Sequence, residues 1–106
     1  MEKIVEQGLL YDFYGSLLTK HQQKIYEKLV YEDQSLNEIA ASEGISKQAV
    51  HDLVRRATAQ MQEYEEKLKM IRRFNRIREY LDEIGQNASD EAIVREKISG
   101  IYRELN

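Results

Sequence analysis

Lys47, Gln48, His51, Asp52, Arg55 and Arg56 follow Ser46 at spacings that place them on the outer side of one helix. All but one of these side chains suit nucleic acid. Arginine and lysine donate to guanine edges and phosphate oxygens, and glutamine pairs with adenine. A helix laid in the major groove meets the bases with the residues of its first turns. The chemistry on offer is recognition, with no bond made or broken.

That helix needs a partner to hold it, and residues 35–56, SLNEIAASEGISKQAVHDLVRR, supply one. Ser35 followed by Glu38 forms a capping box. Leu36, Ile39 and Ala40 recur at spacings of three and four, the buried face of a short helix. Ala40 is small enough for a second helix to cross closely. Gly44 suits the positive φ of a tight helix–helix turn. Ile45 fills the angle, Ser46 caps the next helix, and Val50, Leu53 and Val54 form its inner face. The pattern predicts a helix-turn-helix. Two short helices joined at a glycine also occur as plain packing units, so the motif alone does not name the ligand.

With 106 residues the chain is expected to form one helical domain, with a tail appended. It contains no proline and no cysteine, and a third of its residues are charged. Disulfides, thiolate metal sites and cysteine nucleophiles are excluded. His21 and His51 are too few for a histidine-rich metal site, and no metal or other cofactor is expected. No apolar run reaches the ~18–20 residues of a membrane span, and no signal peptide opens the chain. A cytoplasmic protein without membrane contact or small-molecule substrate is expected. The net charge is −3. Within residues 19–60 six basic residues (Lys20, Lys24, Lys28, Lys47, Arg55, Arg56) meet six acidic ones (Glu27, Glu32, Asp33, Glu38, Glu43, Asp52). A neutral domain binds phosphate weakly unless it is dimerised or tethered.

Along the chain, Ile4, Val5, Leu9, Leu10, Phe13, Tyr14, Leu17 and Leu18 predict a largely buried helix over residues 2–18, loosened or ended at Gly15. Tyr11 and Tyr14 read as core and rim packing. Thr19 with Gln22 forms a second capping box, and Ile25, Tyr26, Leu29 and Val30 face inward. From Ile45 to Ile84 no proline or glycine intervenes, so the helix after Ser46 is expected to run on, with a bend or break near Tyr64. Tyr64, Leu68, Ile71, Phe74, Ile77, Leu81 and Ile84 then approach the 3.5-residue period of a coiled-coil seam. Gly85, Gln86 and Asn87 end it. Ser89 or Asp90 caps a last helix with Val94, Ile98, Ile101 and Leu105 on one stripe. The expected organisation is all-α: a helix-turn-helix domain over residues 1–62 and a C-terminal helical hairpin over 63–106. The hairpin packs on the same core or on a second copy of the chain, and both alternatives stay open. Symmetric pairing of half-sites makes a homodimer the working expectation.

Lys67, Lys69, Arg72, Arg73, Arg76 and Arg78 give six cations and no acid within twelve residues. Interleaved Ile71, Phe74 and Ile77 make the segment amphipathic. It reads either as a surface for phosphate, RNA or a partner protein, or as a solvated helix paired with the acids that flank it.

The run Leu18-Thr19-x-x-Gln22, Ser35-Leu36-x-Glu38-Ile39-Ala40, Gly44-Ile45-Ser46-x-x-Ala49-Val50 and Arg55-Arg56-Ala57 resembles region 4 of bacterial sigma factors over about residues 17–60. The opening with Tyr11, Phe13 and Tyr14, then LTKHQ, YEDQSLNEIAASEGISKQAVHD and the charged tail, is similar to the YlxM-type family of small bacterial helix-turn-helix proteins. The sigma-like pattern implies groove contacts at Ser46, Lys47, Gln48, His51 and Arg55, with Arg56 on phosphate. Asp52 departs from it, because a carboxylate accepts only from the cytosine amino group and repels phosphate. The YlxM-type resemblance implies a link to the signal recognition particle pathway, whose GTPase genes lie beside those of the family. Two functions follow as expectations. One is a nucleic-acid-binding regulator. The other is an accessory factor that binds the particle's RNA or GTPase, with the helix-turn-helix as scaffold. An enzyme is not expected, since neither a glycine-rich phosphate loop nor a convergent nucleophile set is present.

Overall fold

A computed structural model describes residues 2–106, and every regular element among them is helical. The order is α1 (Lys3–Tyr14), a 3₁₀ turn (Gly15–Leu17), α2 (Lys20–Val30), α3 (Leu36–Glu43), α4 (Lys47–Leu68), α5 (Met70–Gln86) and α6 (Glu91–Leu105). They fall into two compact units, Met1–Leu68 and Lys69–Asn106.

The first unit is assembled around α4, which touches α1, α2 and α3. Its core consists of Leu10, Tyr14 and Leu18 from the N-terminal segment, Ile25 and Tyr26 from α2, Ile39 and Ala40 from α3, and Val50, Val54, Ala57 and Met61 from α4. Caps fix where the helices begin. The Gln22 and Glu38 amides donate to Thr19 Oγ1 and Ser35 Oγ, each at 3.1 Å, and both capping boxes are closed reciprocally. The backbone N–H of Ser35 donates to the Glu38 carboxylate and, with the Ser35 side chain, holds it below the usual carboxylate range.

Part of the expected N-terminal core lies outside. Ile4, Val5 and Leu17 are 40%, 54% and 52% exposed. The buried strip of α1 runs through Gln7, Leu10, Tyr11 and Tyr14. A helix lodged against one layer of neighbours buries only a stripe of its circumference, so the wider apolar face predicted from the spacing is not all covered.

Tyrosine hydroxyls close this unit. Tyr11 stacks on Tyr26 at 5.4 Å and donates to Glu27 at 2.5 Å. Tyr14 donates to Glu65 at 2.6 Å, and Tyr31 donates to Asp12. Thr58 donates to the Val54 carbonyl, which leaves its oxygen to accept from Tyr26 at 2.7 Å. Burial, then the Glu27 carboxylate, raise the Tyr11 hydroxyl pKa well above its ordinary value. Burial raises that of Tyr26, and the bond to Asp12 pushes Tyr31 up to about 12. A raised folded-state value stabilises the neutral form. The contribution is complete below the ordinary tyrosine pKa of about 10 and is lost as pH rises through the folded values. Urea denaturation should therefore give a lower midpoint at pH 11 than at pH 8, with a smaller drop for Tyr31→Phe.

The helix after Ser46 does run on, but it breaks at Lys69 rather than near Tyr64. Lys69 is left-handed, with φ +56°. The expected continuous seam and the expected single basic helix are therefore each divided, with Tyr64, Lys67 and Leu68 on α4 and the remainder on α5 or at its cap. Nothing local announces this turn, since lysine is a good helix former and disfavours positive φ. Lys69→Gly removes that penalty at the cost of a more flexible unfolded chain. A net gain of about 0.5–1 kcal/mol is expected in chemical denaturation.

In the second unit α5 and α6 form an antiparallel hairpin, so a helical hairpin is present as expected. Lys97 Nζ lies 2.8 Å from Glu83, and Arg76 Nε lies 3.6 Å from Glu104. Asp90 caps α6 by accepting from the Ile93 amide at 3.2 Å.

Candidate nucleic-acid interface

The helix-turn-helix is present as predicted. Gly44 ends α3 at φ +67°, the left-handed conformation its position requires, and its N–H donates to the Ala40 carbonyl. The Ile45 N–H donates to the same carbonyl at 3.2 Å, folding the turn back on α3. Ser46 Oγ accepts from the Ala49 amide at 3.0 Å and starts α4. Glu43, at the unfavourable negative end of α3, is held by Lys28 at 2.9 Å and Lys24 at 3.4 Å. The bond from Lys28 lowers its pKa. These contacts tie α2 to the end of α3 and so set the base on which α4 stands.

The structure exposes the predicted contact residues around the start of α4, though at 100° per residue Lys47 stands about 180° from Arg56. Ser46, Lys47, Gln48, His51, Arg55 and Arg56 are all exposed, while Val50 and Val54 are buried. Leu53 is half-buried. Asp52 sits among the cations. Its carboxylate accepts from Gln48 Nε2 at 3.1 Å and lies 3.8 Å from His51 Nδ1 and 4.0 Å from Arg55. Gln48 is therefore folded along the helix, and one cation is partly neutralised in the uncomplexed chain. Lys47 and Arg56 make no ion pair among the described residues.

The basic segment resolves into less than its sequence promised. At 100° per residue, Lys69, Arg72, Arg73 and Arg76 lie on one side of α5 and its cap, while Arg78 stands about 200° from Arg76. Lys67 belongs to α4 and pairs with Glu63 at 3.1 Å. Arg76 is engaged by Glu104 and by Tyr80, whose ring centroid is 5.6 Å away. The six residues are exposed but not one patch.

Residues 1–101 match the family model described as "Putative helix-turn-helix protein, YlxM / p13 like". The chain belongs to this family, UPF0122. A UPF0122 protein of Symbiobacterium thermophilum is 42% identical over 99% of this chain and 94% of its own length. One from Geobacillus kaustophilus is 35% identical over 100% of this chain and 96% of its own. One from Halalkalibacterium halodurans is likewise 35% identical over 100% and 96%.

In this UPF0122 chain two residues outside the helix-turn-helix motif adjoin α4. Lys3 and Gln7 of α1 line an open groove of about 440 Å³ together with His51, Arg55, Thr58 and Gln62. Gln7 is only 7% exposed, a polar residue on the buried strip of α1. The signal was present as a glutamine inside IVEQGLL, at a position where the apolar pattern calls for a hydrophobe. Among the described residues no group of three or more histidine, aspartate or glutamate side chains could hold a metal ion. No helix there is long and apolar enough to cross a membrane.

Proposed function

We propose that this protein is a nucleic-acid-binding regulator that lays the first three turns of α4 in a nucleic-acid groove. The observation that carries the reading is the exposure of Gln48, Arg55 and Arg56 on the side of α4 away from buried Val50 and Val54, with His51 flanking them and Ser46 and Lys47 exposed at the capped start of the helix. Lys47, Gln48 and His51 reach bases, Arg55 reaches a base or a phosphate, and Arg56 holds the backbone. The cytoplasm and the signal recognition particle pathway are the proposed setting, on the resemblance to the YlxM-type family.

A second reading has its own observation. Lys69, Arg72, Arg73 and Arg76 share one side of α5, whereas residues 19–60 carry no net charge. On this reading α5 binds the particle's RNA or its GTPase, and the helix-turn-helix is a scaffold.

Anisotropy titrations of duplex genomic fragments and of signal recognition particle RNA, each at two salt concentrations, test both. Duplex binding with site preference and a steep salt slope supports the regulator. Binding to RNA alone, lost on neutralising Arg72, Arg73 and Arg76 together, overturns it in favour of the second. The same triple change is expected to leave duplex affinity unaltered on the first reading.

A further inference from the structure

The hairpin carries an apolar face that its own two helices do not bury. Its register follows from the pairs Arg76–Glu104, Tyr80–Gly100 and Glu83–Lys97, in which each step forward along α5 is matched by a step back along α6. The Tyr80–Gly100 approach is close enough that a Cβ on residue 100 would lie 2.6 Å from the tyrosine ring. These residues therefore mark the sides on which the two helices face each other. At 100° per residue, Ile77, Leu81 and Ile84 lie to one side of that contact on α5. Val94, Ile98 and Ile101 do so on α6. Because the helices are antiparallel and both right-handed, the two strips open toward the same face. Leu81 and Ile98 remain 55% and 41% exposed, and Leu105, continuing the α6 strip, 64%.

We infer that this face pairs with the same face of a second copy, giving a two-fold dimer with a four-helix core. The face is complementary to itself. A two-fold axis along the hairpin sets α5 of one copy across α6 of the other at the same height. Leu81 then meets Ile98, and Ile77 meets Ile101. At the rim, Arg78 comes opposite Tyr102. Each contact occurs twice. A two-helix face about 23 Å long and about 20 Å wide covers about 450 Å² in projection, and side-chain relief brings it near the roughly 800 Å² per partner of a stable interface. Helix pairs packed this way form the four-helix bundle. The pairing stands whether or not the protein binds nucleic acid. If it does, two copies of α4 offset by avidity what one neutral domain lacks.

Sedimentation equilibrium of the full chain, without nucleic acid, tests this. The wild type should be a dimer at micromolar concentration. Leu81→Lys and Ile98→Glu should each weaken it at least about 100-fold, since a charge then replaces a central apolar contact. An equimolar mixture of the two variants should recover a heterodimer, because the ammonium introduced in one chain would face the carboxylate introduced in the other. Helical circular dichroism and thermal midpoint confirm folding, and Leu105→Glu replaces either variant that fails that check. A monomeric wild type, a dimer indifferent to these changes, or a mixture that stays monomeric each overturns the inference.

Discussion

Gly15→Ala should destabilise the first unit by about 1–3 kcal/mol, although the backbone at this position is ideal for alanine. Gly15 has φ −58° and ψ −33°, right-handed helical values. Helix propensity alone would favour alanine by about 1 kcal/mol. Packing reverses the sign. A Cβ at residue 15 would stand 2.7 Å from Tyr11 Cε1. That ring cannot retreat. It is 8% exposed, stacked on Tyr26, edge-on to Tyr31 at 5.5 Å, and tethered through its hydroxyl to Glu27. Any shift therefore propagates into the whole aromatic cluster. Gly8 supplies the internal control. Nothing lies within 4 Å of its Cβ position and it sits inside α1, so Gly8→Ala should stabilise by about 0.5–1 kcal/mol. Urea denaturation of both variants reads out the pair. Two substitutions of the same kind with opposite signs would separate steric contact from propensity. A stabilised Gly15→Ala would mean that Tyr11 has room the packing does not show.

Much of this architecture can be read from local chemistry. Thr19, Gln22, Ser35, Glu38, Gly44 and Ser46 each act on backbone within a few residues, so their roles follow from spacing alone. Val50, Val54, Ile39 and Ala40 follow equally from period. Lys69 is the counterexample. Its left-handed backbone runs against the preference of the residue, and no pattern of neighbours predicts it. The excess of apolar surface on α1 and on the hairpin face is a related failure. Periodicity identifies a stripe but not how much of it a neighbour covers. On α4, residue types and spacing locate the exposed residues. They do not reveal that Gln48 leans on Asp52, or that Lys3 and Gln7 of a helix far back in sequence border the same helix.

Asp52 and Arg55 should move nucleic-acid affinity in opposite directions, and they offer the sharpest functional test of α4. Arg55 is 63% exposed at its side chain and 4.0 Å from the Asp52 carboxylate. Removing one phosphate contact in Arg55→Ala should lower duplex affinity about 10-fold at moderate salt, on all sequences alike, and reduce the slope of log affinity against log salt by about 0.9. Asp52→Asn does the reverse. The carboxylate repels phosphate, partly neutralises Arg55 and holds Gln48 along the helix axis. An amide keeps the shape and an acceptor for Gln48 while removing the charge. At an effective dielectric between water and protein surface, a unit charge near one phosphate costs about 1–2 kcal/mol, so affinity should rise about 5- to 30-fold. Gln48→Ala, by contrast, should change the ranking of sequences more than the mean affinity. Because Asp52 and Arg55 touch, their effects should not be additive, and Arg55→Ala should cost more in the Asp52→Asn background than alone. Anisotropy titrations of the wild type, the two single variants and the double variant across a salt series decide it. A weakened Asp52→Asn, or an Arg55→Ala with an unchanged salt slope, would place the nucleic-acid contact on some surface other than the outer side of α4.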